Sequence, residues 1–258
     1  MNIATPIAAA GSLTLEDSTG YARARIGLII PSSNRLSEPQ FRRFLPPDVA
    51  VHTTRLRMTG QHAKPLEPLL ADVAAAAGAL GDAKCDVIVF HCTANSMEHG
   101  LAGERRILDT IIEASGAAAL STAQAVVEAF RASGIRKLVM ISPYVQSHND
   151  HEKDYLSALG FDTIHDVAMN LPPSDGYLAF APSKWIDVAR ANARDAADGY
   201  FLSCTNTTQI DTIAALERGF RKPVINSNQA TIWAALKRVA EKIGGMPVVP
   251  ELGGLMTR

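Results

Sequence analysis

The sequence predicts an α/β protein of two parallel-sheet lobes related by pseudo-twofold symmetry, with an active site in the cleft between them. Apolar strand-like segments alternate with helix-like segments along the chain, which is typical of parallel sheets. Features also recur at one offset: Cys92 and Cys204 lie 112 positions apart, as do Pro31 and Pro143. A constant offset indicates two homologous halves.

The elements follow from local patterns. Short runs rich in Val, Ile and Leu predict strands at 25–31, 49–56, 86–91, 117–120, 137–142, 162–168, 199–203 and 223–226. Segments of helical character separate them, at 65–80, 104–115, 122–133, 151–159, 183–196, 208–218 and 229–243. We interpret 1–22 as a flexible N-terminal tail, 23–119 plus 226–258 as lobe 1, and 120–225 as lobe 2.

Composition narrows the possible functions. The chain has 258 residues, 47% of them hydrophobic and 20% charged, and a formal net charge of −1. These values are ordinary for a folded globular protein and indicate no basic surface, so we expect neither nucleic acid nor membrane as a partner. Three cysteines without CxxC spacing argue against both a disulfide framework and a metal site. We expect a cytoplasmic protein.

Two thiols carry the functional prediction. Cys92 and Cys204 each follow a predicted strand, six residues after an aspartate and directly before a threonine. Ligands of open parallel sheets bind beyond the carboxyl ends of the strands, so both thiols should reach one cleft. We expect them in polar surroundings near helix N-termini, where backbone N–H groups favour a thiolate or a bound carboxylate. The neighbouring polar residues predicted to bind substrate are Ser32, Ser33, Asn34, Thr93, Asn95, Ser96, Tyr144, Thr205 and Asn206.

Other candidates have simpler interpretations. Cys85 opens a strand at the far end of the sheet and is expected to be an inert core residue. His91 alternates away from Cys92 along its strand, which favours a buried, hydrogen-bonded structural histidine. His148 and His151 could border the cleft, but the simpler expectation is that they are solvated residues at a helix start. The sequence contains no GxGxxG after a strand, no GxxxxGK[ST] and no GxSxG, so we expect a reaction without cofactor or metal.

Four segments carry a family resemblance. "IGLIIPSSN", "CTANS", "SPY" and "SCTNT" resemble the aspartate/glutamate racemase superfamily, and most closely its maleate cis-trans isomerase and arylmalonate decarboxylase branch. The likeness covers roughly residues 25 to 245. It implies two Rossmann-like lobes, an interlobe cleft and no metal or organic cofactor. We also expect a homo-oligomer, either a dimer or a tetramer.

The resemblance implies a role for individual positions. Cys92 matches the cysteine that adds to the alkene of maleate, giving a succinyl adduct that rotates and eliminates fumarate. Cys204 matches the proton donor and acceptor on the other face. Asn34 and Tyr144 match residues that contact a substrate carboxylate, and Thr93 matches a pocket hydroxyl of the decarboxylases.

The chain also departs from the family pattern. Arylmalonate decarboxylases have glycine in place of the first cysteine, so Cys92 favours isomerisation. Maleate isomerases usually have small apolar residues after the first cysteine, where Thr93, Asn95 and Ser96 follow it here, and an asparagine in the loop that here contains Ser174 and Asp175. Asn170 is the candidate to replace that asparagine.

We therefore predict a cofactor-independent two-cysteine isomerase of a small carboxylic or dicarboxylic acid. The alternatives left open are an amino-acid or hydantoin racemase with the cysteines as an opposed acid/base pair, and a decarboxylase of the arylmalonate type. A non-catalytic small-acid binding protein is a further alternative.

Overall fold

The computed structural model describes residues 22–58 and 64–258, within which eight strands form two four-stranded parallel sheets. The first sheet contains β1 (Ala24–Pro31), β2 (Val49–Leu56), β3 (Val87–Phe90) and β4 (Ala118–Ser121). The second contains β5 (Lys137–Ser142), β6 (Asp162–Ala168), β7 (Gly199–Leu202) and β8 (Val224–Asn226). The tail predicted for 1–22 lies outside the described residues, apart from its last position.

The two sheets have the same topology. Their strand orders are β2-β1-β3-β4 and β6-β5-β7-β8, and every pairing is parallel. Strands β3 and β7 carry four buried residues each, because helices cover both faces of a parallel sheet. The fold class predicted from the 112-residue repeat is therefore confirmed.

Ten α-helices of the described residues connect or flank the strands. They are α1 (Ser37–Phe44), α2 (Leu66–Asp82), α3 (Thr93–Met97), α4 (Gly100–Ser115), α5 (Thr122–Ser133), α6 (Gln146–Ala158), α7 (Asp175–Ala179), α8 (Pro182–Ala191), α9 (Ile213–Phe220) and α10 (Ser227–Ile243). Two 3₁₀ segments, Thr208–Thr212 and Pro250–Thr257, complete the structure. The helix predicted from 151 begins five residues earlier, and the one predicted at 208–218 divides into a 3₁₀ segment and α9.

Helix α10 joins the two halves. It packs against α5 and contacts strands β1, β3 and β8, so it touches both sheets. Its first turn is fixed by a capping box, in which the Asn226 side chain accepts from the backbone of Gln229 and the Gln229 side chain accepts from Asn226. One buried apolar cluster, which includes Trp233 of α10 and Phe130 of α5, extends through both sheets. The assignment of 226–258 to lobe 1 accordingly stays a prediction.

No helix within 22–58 and 64–258 has the length and apolarity required to cross a membrane. The homo-oligomer and the cytoplasmic location stay predictions.

Candidate active site

A cleft opens where the carboxyl ends of β3 and β7 face each other across the two lobes. Cys92 and Cys204 both line it, one from each sheet. Six further predicted residues line the same cleft, namely Ser33, Asn34, Asn95, Tyr144, Thr205 and Asn206. The structure therefore brings together eight of the twelve residues predicted from the sequence.

Cys92 caps the short helix α3 in an ordinary extended conformation, with φ of −157°. Its Sγ accepts a hydrogen bond of 3.2 Å from Nδ2 of Asn95. The side chain is buried, which raises the pKa of the thiol, and the charges of Glu152 and Glu98 raise it further against the opposing bond from Asn95. The helix N-terminus was expected to favour a thiolate here, but burial outweighs the first turn of a five-residue helix, and the pKa of the thiol is raised.

Cys204 has a different backbone. Its φ is 135°, which is uncommon for a residue with a side chain and marks local strain. Its N–H donates to Oγ of Ser227 at 3.1 Å, and its Sγ accepts from the backbone N–H of Asn206 at 3.3 Å and from the hydroxyl of Tyr144. Burial raises the pKa of this thiol to about 12, so the resting cleft presents protonated thiols.

The first turn of α10 holds the two cysteine loops together. Ser227 Oγ accepts from the Cys204 N–H and from the Thr93 hydroxyl, the latter at 2.9 Å. Asn228 Nδ2 donates to the carbonyl of Thr205 at 3.0 Å. Ser227 and Asn228 were not among the predicted site residues, and the signal for them was the capping sequence "NSNQ" at the start of a predicted helix.

His91 supports this arrangement from below the cleft. It is fully buried, its Nε2 lies 2.8 Å from Oδ1 of Asn228, and its Nδ1 lies 3.0 Å from the hydroxyl of Thr122. Burial lowers the pKa of this imidazole to about 3, so the ring is neutral. The prediction of a hydrogen-bonded structural histidine is confirmed.

Asn34 and Asn206 fasten the lobes across the cleft. Asn34 Oδ1 accepts from the N–H groups of Leu36 and Ser37, at 3.1 and 3.0 Å, while its Nδ2 donates to the hydroxyl of Thr205 at 3.2 Å. Asn206 Oδ1 accepts from the backbone N–H of Arg35 at 2.9 Å. These bonds fix the distance between the PSSN loop and the Cys204 loop.

Four predicted residues do not line the cleft. Thr93 turns its hydroxyl to Ser227, as described above. Ser96 donates to the carbonyl of Thr93 at 2.9 Å, and Ser32 donates to the carbonyl of Met58 at 3.4 Å. Asn170 is exposed, with φ of 48°, and only its backbone N–H reaches the Tyr144 carbonyl. Ser174, four residues further on, lines the cleft instead.

Helix α6 contributes groups that the sequence prediction missed. His148 lines the cleft, with its ring centroid 5.6 Å from that of Tyr144 in an edge-on contact, so of its two expected positions it has the one at the cleft. Glu152, one turn further on, is fully buried and accepts from the Ser203 hydroxyl at 2.9 Å. Burial raises the pKa of this carboxyl to about 8. The spacing of Tyr144, His148 and Glu152, four residues apart each time, is the helical signal that could have found them.

Glu98, which directly follows α3, also lines the cleft. Its Oε2 lies 3.0 Å from Nδ1 of His151, which is largely solvated as expected. Among the residues that the structure describes, no group of three His, Cys, Asp or Glu side chains could hold a metal ion.

Comparisons with known proteins agree with this geometry. The family model described as arylmalonate decarboxylase matches residues 26–246. A maleate isomerase of Geobacillus stearothermophilus is 25% identical over 247 residues, which cover 90% of this chain and 97% of that protein. An arylmalonate decarboxylase of Bordetella bronchiseptica is 23% identical over 232 residues, which cover 89% of this chain and 95% of that protein.

A solved structure shows the same fold. It is a cysteine-to-serine mutant of the maleate cis-trans isomerase of Nocardia farcinica with a covalently bound succinylcysteine intermediate. Its TM-score is 0.81 at 24% identity, over 92% of this chain and 98% of that chain.

Proposed function

This chain belongs to the arylmalonate decarboxylase family, and on that premise we propose that it is a two-cysteine isomerase of a small dicarboxylic acid, with maleate as the first candidate substrate. The observation that carries the proposal is the pair of thiols that line one cleft from opposite sheets. Each thiol follows a central strand of its lobe, so a planar alkene between them would present one face to each.

Cys92 is the nucleophile of the proposed reaction, acting as its thiolate once the resting thiol has released its proton to water. Its Sγ forms a bond to one alkene carbon, and the π electrons move to the other carbon, which takes a proton from Cys204. The product is a succinyl thioether in which the former double bond can rotate. Cys204 then removes a proton from the same carbon, the double bond re-forms, and the carbon–sulfur bond breaks to release fumarate.

The electrostatics suit this division of roles. The reaction needs one proton on the pair, and the raised pKa of Cys204 favours keeping it there until a carbon accepts it. The hydrogen bonds from Tyr144 and from the Asn206 N–H orient that sulfur. Cys92 accepts from the side-chain amide and the backbone N–H of Asn95, and it lacks a tyrosine hydroxyl of the kind that Tyr144 gives to Cys204.

Cys92 also separates isomerisation from the decarboxylase alternative. A decarboxylase needs only an acid on one face of its carbanion, whereas a thiol on each face suits either addition and elimination or proton exchange. The racemase alternative uses the same two thiols, so the identity of the substrate distinguishes an isomerase from a racemase.

Proton NMR of the protein with maleate tests the proposal. We expect fumarate signals to grow at the expense of maleate signals, with no added cofactor. Incorporation of solvent deuterium at the α-carbon of aspartate, glutamate or a hydantoin, without any change in maleate, would instead assign the racemase function.

A further inference from the structure

His148 has an unusual position among the histidines of the described residues. Its Nδ1 is buried and has no hydrogen-bond partner there, although the residue lines the cleft. His91, His99, His151 and His165 each have a ring nitrogen within 3.0 Å of a partner. A buried polar atom without a partner destabilises a protein, so its presence in a ligand cleft indicates a group that is satisfied by the ligand.

The distribution of charged and basic side chains along the cleft also singles out His148. Among the described lining residues there is no Lys or Arg, and His148 has the only basic side chain. The lining carboxylate, Glu98, already faces His151. A dicarboxylate that enters this cleft brings two negative groups, and His148 is the lining side chain that can offer a ring N–H to one of them.

The ring of His148 is also held in place beside Tyr144. His148 lies in the first turn of α6, where its N–H donates to the carbonyl of Val145 at 3.1 Å. The ring packs edge-on against Tyr144, whose hydroxyl bonds the Cys204 sulfur. A substrate group bound at Nδ1 would therefore lie beside the acid/base thiol.

The 112-residue repeat has a histidine at this position in one lobe only. At the 112-residue offset, His148 corresponds to Leu36, an apolar residue in the equivalent turn after β1. The pseudo-twofold symmetry of the cleft is broken at this position, so the two carboxylates of a symmetric acid would meet different groups.

We propose that His148 determines substrate specificity by donating a hydrogen bond from Nδ1 to the second carboxylate of the acid, an inference that rests on the proposed dicarboxylate substrate. His148 takes no part in the bond changes. It selects acids with a polar far end over acids of the same length with an apolar one.

Calorimetric titration of succinate and butyrate tests this role without requiring turnover. The two ligands have the same chain length, and butyrate has a methyl group where succinate has its second carboxylate. Three variants are compared with the wild type. H148F keeps the contact with Tyr144 but removes both ring nitrogens, H148N can place its amide nitrogen near the position of Nδ1, and H165F removes a histidine outside the cleft.

We expect H148F to weaken succinate binding about tenfold and to change butyrate binding less than twofold, because one hydrogen bond to a charged group is lost. H148N should keep most of the succinate affinity, and H165F should bind both ligands as the wild type does. If maleate is turned over, H148F should raise KM about tenfold and change kcat little. Thermal unfolding of each variant confirms that it folds.

Two results would overturn the inference: a wild type that does not prefer succinate to butyrate, or an H148F variant that loses affinity for both ligands equally or for neither. Failure of the proposed function looks different, since maleate would then remain unchanged in the NMR assay while the preference for succinate still depended on His148.

Discussion

The loops that follow β3 and β7 start from nearly the same sequence and reach different geometries. Both place a cysteine and then a threonine at the end of a buried four-residue strand. Cys92 has a relaxed extended backbone with φ of −157°, whereas Cys204 has φ of 135°. Strain of this kind persists only where the surroundings enforce it, and the bond from the Cys204 N–H to Ser227 is one such restraint.

The hydrogen-bond donors to the two sulfurs also differ. Cys92 Sγ accepts from the backbone N–H of Asn95 and from its side-chain amide, and the amide can rotate away when the sulfur bonds carbon. Cys204 Sγ accepts from a backbone N–H and from Tyr144, which is itself buried. The comparison indicates that one loop suits a sulfur that forms and breaks a covalent bond, and the other suits a sulfur that only exchanges a proton.

Substitution of the cysteines should have the largest effect, and it tests whether the two loops have different roles. We expect Cys92→Ser and Cys204→Ser each to lower kcat by about three orders of magnitude or more, since each removes a reacting group. Only Cys204→Ser should accumulate a covalent adduct with maleate, on Cys92. Intact-protein mass spectrometry after incubation with maleate measures it.

Cys85→Ala is the matched control, because Cys85 is a buried core residue outside the cleft, with its pKa raised to about 11 by burial. It should keep turnover close to that of the wild type. An adduct on Cys204 in the Cys92→Ser variant would show that the two loops are interchangeable.

Much of this framework could be predicted from the sequence. The eight strands lie within one residue of their predicted positions, because short runs of Val, Ile and Leu bounded by polar residues specify buried parallel strands. The repeat at 112 residues identified both cysteines and the cleft that they share. Helix α1 was not predicted, since Pro39 in its sequence suggests a loop, although a proline is tolerated in a first turn.

What could not be predicted depends on packing between distant segments. The burial of both thiols, and so their raised pKa values, results from the closure of one lobe on the other. Thr93 was expected in the cleft, but its direction is set by Ser227, which lies 134 residues away in the chain. The positive φ of Cys204 has no local signature, because the residue is neither glycine nor followed by a turn motif.

Glu152 affects both cysteine loops, because its charge influences the pKa of groups in each of them. It raises the pKa of Cys92, Cys204 and Tyr144, and it accepts from Ser203, directly before Cys204. The pKa of Glu152 is raised from 4.5 to about 8 by burial. Between these values the unfolded chain releases the proton while the folded protein retains it, so the contribution of Glu152 to stability is complete below pH 4.5 and is lost as the pH rises through 8.

Glu152→Gln removes this dependence while it keeps an acceptor for Ser203. We expect the variant and the wild type to differ little near pH 4.5, and the variant to be more stable by roughly 5 kcal/mol above pH 8.5. Urea unfolding at a series of pH values measures the difference. A difference that is constant with pH would mean that the carboxyl is not held protonated in the folded protein.

Ser227→Ala should have the smallest effect, and it tests directly whether the two loops act as a pair. The hydroxyl accepts from the Thr93 hydroxyl and from the Cys204 N–H, so its loss leaves two buried donors without this partner and releases the strained residue. We expect the free energy of unfolding to fall by about 1–3 kcal/mol, the cost of leaving a buried polar group unsatisfied. We also expect kcat for maleate to fall about tenfold, because small displacements of reacting groups slow reactions that depend on their positioning. KM should change little, since Ser227 is not among the lining residues of the cleft.

Ser133→Ala is the matched control for this substitution, because the Ser133 hydroxyl is buried without a hydrogen-bond partner in the described structure. Its loss should leave both stability and turnover nearly unchanged. Steady-state kinetics and thermal unfolding of the two variants separate a positioning role from a purely structural one. A Ser227→Ala variant that is destabilised but keeps the wild-type kcat would show that the strain at Cys204 is a by-product of packing. A loss of stability together with a fall in kcat at constant KM would show that the Ser227 hydroxyl positions the sulfur of Cys204 relative to Cys92 on the other lobe.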